Sequence, residues 1–190
     1  SEHDKMILRE LAKQFRELCE RPIEQEKIKL WTDHNDLKKT RPLILVDMEN
    51  GWNEAIRFDR DIQCEGVMAG DWEMWLRKEI MYGTKILDDK PLTPVFYLPY
   101  RGINTEWGIS DDHEGSGDIN EAYTWKPKLA DLEEEEFEEL DLDTVIEDPY
   151  VKVDEETSMA TYALAKEVFD GILDVQFRTW WFWSAHMVLA

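Results

Sequence analysis

Cysteine, histidine, glycine and cationic residues are all scarce in this chain of 190 residues. Its two cysteines, Cys19 and Cys64, form no Cys-x-x-Cys pair and no Cys/His ligand spacing. That excludes a disulfide scaffold and a zinc knuckle, and a reducing cytoplasm is the expected compartment. Lysine and arginine number 22 against 43 aspartates and glutamates, a formal charge of −21. So acidic a surface repels nucleic-acid backbone and anionic lipid, so neither is an expected partner. No apolar run approaches the ~20 residues of a membrane span, and Ser1-Glu2-His3-Asp4 does not open a signal peptide. The chain has no GxGxxG, Walker A, GxSxG or HExxH pattern and no internal repeat, which removes nucleotide-phosphate binding, serine hydrolysis and zinc-protease chemistry.

What is abundant is apolar and aromatic. Hydrophobic residues make up 43 % of the chain and nine are tryptophan, too much for a solvated acidic tail. Ile7, Leu8, Leu11, Phe15, Leu18 and Cys19 recur at helical spacing over 5–20, before Arg21-Pro22. A second helix is expected from Ile23 to Leu37, so residues 1–40 read as a helical hairpin ahead of the main body. Leu43-Ile44-Leu45-Val46 is a short unalternating run, the mark of a strand buried on both faces. Trp72, Trp75, Leu76, Ile80 and Met81 predict a helix over 71–82 capped by Asp71, and Pro94–Pro99 a second buried strand. A long loop over 100–127 and the acidic stretch 131–140 follow. Asp154, Glu155, Glu156 and Gly171 then bracket a helix over 154–169, and Ile172–Phe177 is a third buried strand. Strand, helix and strand in that order predict parallel βα units over 41–190.

Neighbouring parallel strands would bring their C-terminal ends to one edge, where α/β folds bind ligands. That edge gathers Asp47, Glu49, Asn50 and Trp52 after the first run, Tyr100, Arg101 and Asn104 after the second, and Arg178, Trp180 and Trp181 after the third. Asp47 and Glu49 are the candidate general acid and base. Asn50, Trp52, Tyr100, Arg101, Arg178 and Trp180 are the candidate ligand-binding residues, because guanidinium groups fork onto carboxylates and stack on planar rings. The alternative is structural: Asp47 closes a turn, Arg101 and Arg178 make ion pairs, and the tryptophans are core. His34 reads as a surface residue, His186 has no partner of suitable spacing, and the acids around His113 lack the EF-hand spacing.

Trp31-Thr-Asp-His34-Asn35 and Arg41-Pro42-Leu-Ile-Leu-Val-Asp47-Met-Glu49-Asn50-Gly51-Trp52 resemble an uncharacterised branch of the uroporphyrinogen decarboxylase superfamily. Asp88-Asp89, Tyr123-Thr-Trp125-Lys-Pro127, Asp131-Leu132 and Ala165–Leu173 follow in the same order. The resemblance implies a (β/α)8 TIM barrel and one of two chemistries: cofactor-free decarboxylation of a porphyrinogen, or methyl transfer linked to a corrinoid or thiol, usually with zinc. The decarboxylase motif Met-Arg-Gln-Ala-Gly-Arg and the methyltransferases' His-x-Cys and distant Cys zinc ligands have no counterpart here.

A barrel of this type takes ~250 residues, so the expectation is its N-terminal portion, completed by further polypeptide or by dimerisation. The leading functional expectation is part of a corrinoid-linked methyltransferase acting on a small methylated substrate, with a corrinoid protein as partner. The alternatives are a porphyrinogen decarboxylase-like lyase acting on a tetrapyrrole, and a non-catalytic binding or assembly protein that dimerises to complete its sheet.

Overall fold

A computed structural model describes residues 1–104, 112–115, 124–126, 139–141 and 150–179. Two long helices open the chain, α1 (Glu2–Cys19) and α2 (Pro22–Asn35). Two short ones follow, α3 (Trp52–Ala55) and α4 (Phe58–Asp61), and then α5 (Val67–Met81), which runs into a π-helical turn over Tyr82–Ile86. The remaining described elements are β1 (Val95–Leu98), β2 (Gly102–Asn104), β3 (Asp112–Glu114), β4 (Thr124–Lys126), β5 (Val151–Val153), α6 (Glu155–Phe169) and β6 (Asp174–Phe177). The chain divides into two compact units. The first comprises residues 1–98 and 161–178, the second residues 99–160 and 179–190.

The barrel expectation is overturned. Among the described residues the chain is mostly helical, and its one parallel pair is β1 with β6, in the register Val95 to Asp174 through Leu98 to Phe177. The other pairs, β2 with β5 and β3 with β4, are antiparallel. A barrel needs every strand to pair on both sides, whereas among the described residues β1 has β6 as its single partner. Among the described residues the apolar run 43–46 joins no ladder, and Ile44 and Leu45 are 62 % and 59 % exposed rather than buried on both faces.

Carboxylates account for that departure. The N–H of Ile44 donates to Asp89 Oδ2 and that of Val46 to Asp88 Oδ2, both at 2.9 Å. Asp89 N–H returns a bond to Ile44 O at 2.9 Å, and the Tyr82 hydroxyl donates to Val46 O at 2.9 Å. Side chains thus take the place of a neighbouring strand on one side of the run. Arg41 fixes Asp89 from the other direction through both of its terminal nitrogens.

The first unit closes on an aromatic core. Leu8, Leu11, Phe15 and Cys19 line one face of α1, at the spacing read from the sequence, and pack with Trp72 and Leu76 of α5. α1, the first helix of the expected N-terminal hairpin, packs into this core against α5. Phe96 lies at the centre, its ring 4.6 Å from Phe169, 5.0 Å from Trp75 and 5.3 Å from Trp72. Offset and edge-on contacts of this kind add to the burial itself.

Helix ends follow local chemistry. Ser1 caps α1 in a reciprocal box with Asp4, one turn ahead of the expected start. Asp71 does not cap α5, which begins four residues earlier after Gly66. In the second unit Asp154 caps α6, accepting from Thr157 N–H at 2.9 Å. The C-terminus of α6, in the first unit, ends at Gly171, whose φ of 71° a side chain would strain. Arg9 donates to the carbonyls of Val168 and Asp170 there, placing a cation at the negative end of the helix.

Candidate functional site

Asp47 and Glu49 lie in the turn that leads from the apolar run into α3. Both are exposed, and Glu49 N–H donates to Asp47 Oδ1 at 3.0 Å, the bond that shapes the turn. Glu49 sits at φ 45°, in the left-handed region. The turn drives Trp52 inward to 8 % exposure, where its ring lies 5.4 Å from Tyr82.

Lys78, one turn before Tyr82 on α5, holds its ammonium 5.3 Å from the centre of the Trp52 ring. A cation in that position is attracted by the ring quadrupole. Burial lowers its pKa, and the charge of Asp47 opposes the shift. Lys78 makes no hydrogen bond or ion pair with the described residues, whereas the neighbouring Lys90 is neutralised by Glu79 and sits 3.9 Å above the Tyr82 ring. Burial pushes the Tyr82 hydroxyl up to about 12, with further contributions from Asp47, Asp88 and Glu79, so it stays protonated and a donor. Trp52, Lys78, Tyr82 and Asp47 thus lie together, two rings with a cation that feels the Asp47 charge but makes no ion pair among the described residues, and a hydroxyl donated to Val46 O. The π-helical turn beginning at Tyr82 is a rare geometry often met at functional sites.

Of the residues expected at one ligand edge, the structure gathers Asp47 and Trp52 around Lys78 and Tyr82. Arg178, also in the first unit, stacks 4.9 Å from the centre of the Tyr97 ring, and its N–H continues the β1–β6 ladder to Leu98 O. Tyr100 and Arg101 belong to the second unit and are both exposed, and the Arg101 backbone N–H donates to Ser158 Oγ at 2.9 Å. Asn50 lies in the 3-10 turn Glu49–Gly51 and Asn104 in β2. Trp180 and Trp181, His186 and all but the end of the acidic stretch fall outside the described residues. Sequence reasoning missed Lys78 and Tyr82 because it singled out only the apolar residues Trp72, Trp75, Leu76, Ile80 and Met81 of the helix 71–82. The signal was there: Lys78 and Tyr82 are one turn apart on a helix whose other face carries Trp72 and Leu76.

A cleft of about 450 Å3 between α1, α5 and α4 is a less suitable site. Its arginines are already paired, Arg60 with Asp61 at 2.6 Å and Arg77 with the buried Glu73 at 2.7 Å. The zinc implied for the methyltransferases does not fit the described residues. No group of three His, Cys, Asp or Glu side chains among the described residues is placed to hold a metal. Burial also pushes both thiols up to about 12, away from the thiolate a zinc ligand must be.

No protein-family model, curated protein or solved structure matches the chain. No helix among the described residues is long and apolar enough to cross a membrane.

Proposed function

We propose that the chain is a small-molecule-binding protein akin to the uroporphyrinogen decarboxylase superfamily, and that Trp52, Lys78, Tyr82 and Asp47 line its site for a planar, carboxylated ligand of the tetrapyrrole type. The observation that carries this reading is the half-buried Lys78 ammonium, held against Trp52 without a carboxylate partner among the described residues. A partly desolvated cation gains most from an anionic ligand, and an indole face gains most from a planar one. Tyr82, whose single O–H is donated to Val46 O, adds its ring and a hydroxyl lone pair that can accept, and Asp47 is an exposed carboxylate that can meet a pyrrole N–H or exchange a proton with solvent. The sequence resemblance supports the same ligand class. Corrinoid-linked methyl transfer ranks behind it, because a corrinoid ring carries neutral amides where uroporphyrin carries carboxylates, and offers Lys78 only the single phosphodiester of its nucleotide loop.

The test is a titration with uroporphyrin, followed by calorimetry and by quenching of tryptophan emission, with cobalamin as the comparison. Saturable binding weakened about tenfold by Lys78→Met, the loss of roughly 1.4 kcal/mol of a charge-assisted contact, is the expected result. Binding unaffected by Lys78→Met, no saturation below ~100 μM, or tighter binding of cobalamin would each overturn the proposal.

A further inference from the structure

The run Leu43–Val46 has one satisfied side and one open side. Ile44 and Val46 turn their N–H and C=O groups to Asp89, Asp88 and Tyr82. In an extended chain successive residues point these groups to opposite sides, so those of Leu43 and Leu45 face away from the carboxylates. Among the described residues they make no hydrogen bond. Pro42, which lacks an N–H, falls on the satisfied side and leaves the open ladder intact. Ile44 and Leu45 are more than half exposed and Val46 is 39 % exposed. An apolar edge that offers free backbone donors is a template for another strand.

Charge then selects the occupant. The run is flanked on its N-terminal side by the exposed Lys39, with Lys38 paired to Asp33 and Asp36 and Arg41 to Asp89, and on its C-terminal side by the exposed Asp47 and Glu49. A second copy laid antiparallel sets the basic flank of one against the acidic flank of the other, whereas parallel pairing would set like against like. From this we infer that two copies of the chain pair through residues 43–46 as an antiparallel ladder, with Ile44 facing Ile44 across a two-fold axis. Leu43 of each copy exchanges hydrogen bonds with Leu45 of the other. Arg41, whose guanidinium stays with Asp89, lies opposite Asp47, and Lys39 comes up beside the turn that carries Glu49. This register keeps the bonds to Asp88 and Asp89 and places each open group against one of opposite kind. A two-fold contact of this type closes on itself and stops at the dimer. The inference uses backbone groups and flanking charges, so it stands independently of the ligand proposed above.

Sedimentation of the full chain is expected to give twice the 22.6 kDa monomer mass at micromolar concentration. Leu45→Pro removes a ladder donor while leaving the Asp88 and Asp89 bonds in place, and should return the monomer with an unchanged far-ultraviolet spectrum. Lys39→Glu should weaken the dimer at least tenfold, and adding Glu49→Lys should restore it. Because facing residues that do not exchange hydrogen bonds have Cα atoms about 4.5 Å apart, Ile44→Cys in a Cys64→Ser background should form a covalent dimer on oxidation. Leu43→Cys, two positions out of register with its own copy, should not. A wild-type chain that sediments as a monomer overturns the inference. So does a dimer indifferent to both Leu45→Pro and Lys39→Glu, or one that cross-links through position 43 in preference to 44.

Discussion

Glu73 is fully buried on α5 and meets four donors. Oε2 accepts from the backbone N–H groups of Gln63 and Cys64 at 2.9 and 2.7 Å, and Oε1 accepts from Arg77 Nε and a terminal nitrogen at 2.8 and 2.7 Å. Glu73→Gln keeps the shape but supplies one oxygen where two are needed. Whichever way the amide turns, its NH2 group confronts either Arg77 or the two backbone donors. Weakened charge-assisted bonds and a broken, mostly buried ion pair together cost about 2–4 kcal/mol. For a chain of this size that lowers Tm by roughly 5–15 °C. Burial raises the Glu73 pKa, but the Cys64 N–H, Arg77 and the Gln63 N–H outweigh it and hold the carboxyl below its ordinary value. A carboxyl depressed in the folded state stabilises fully above its unfolded pKa of about 4.3, and that stability is lost as pH falls through the folded value. Urea unfolding of both proteins should therefore show a constant gap above about pH 5 that narrows below about pH 4, where a protonated carboxyl and an amide become equivalent. A gap under about 0.5 kcal/mol at neutral pH, or one that persists undiminished in acid, would refute the assignment of Glu73 as the acceptor that ties residues 63 and 64 to α5.

Two further outcomes follow from the same geometry. Phe169 is fully buried against Phe96 and Trp72, so Phe169→Ala should cost about 3–5 kcal/mol in denaturant unfolding; a loss under about 1 kcal/mol would mean that the site collapses around the gap. The Arg41 guanidinium, then the Ile44 N–H, hold the Asp89 carboxyl well below the usual carboxylate range, so the charge that secures the apolar run persists into strong acid. Asp89→Asn should speed exchange of the Ile44 amide in hydrogen-exchange mass spectrometry and leave the Phe96 amide, within the β1–β6 ladder, protected; equal effects on both would show that Asp89 supports the whole unit.

The sequence made some elements legible and others not, for reasons visible in individual residues. The spacing of Leu8, Leu11 and Phe15 marked the buried face of α1, because helical periodicity reports which side meets the core. Asp154 and Gly171 marked the ends of α6, because caps act within a few residues of themselves. The run Leu43–Val46 misled, since hydrophobicity without alternation reports a preference for burial and not the partner that supplies it. Asp88 and Asp89, more than forty positions away, satisfy its backbone and hold it at the edge. The site was half legible: Asp47 and Trp52 stand out beside the run, but Lys78 and Tyr82 reach them only through tertiary packing.

By itself, then, the sequence determined composition-level and local properties: an acidic surface, an aromatic core, the long helices, the ends of α6, and the two runs that became β1 and β6. Those depend on interactions within a turn or two of chain, or on summed charge. Tertiary structure decided whether apolar runs became paired strands and which charges were left without a counterion. Both outcomes depend on groups distant in sequence, since a strand is completed only by what lies beside it and a half-buried lysine is defined by which carboxylates reach it.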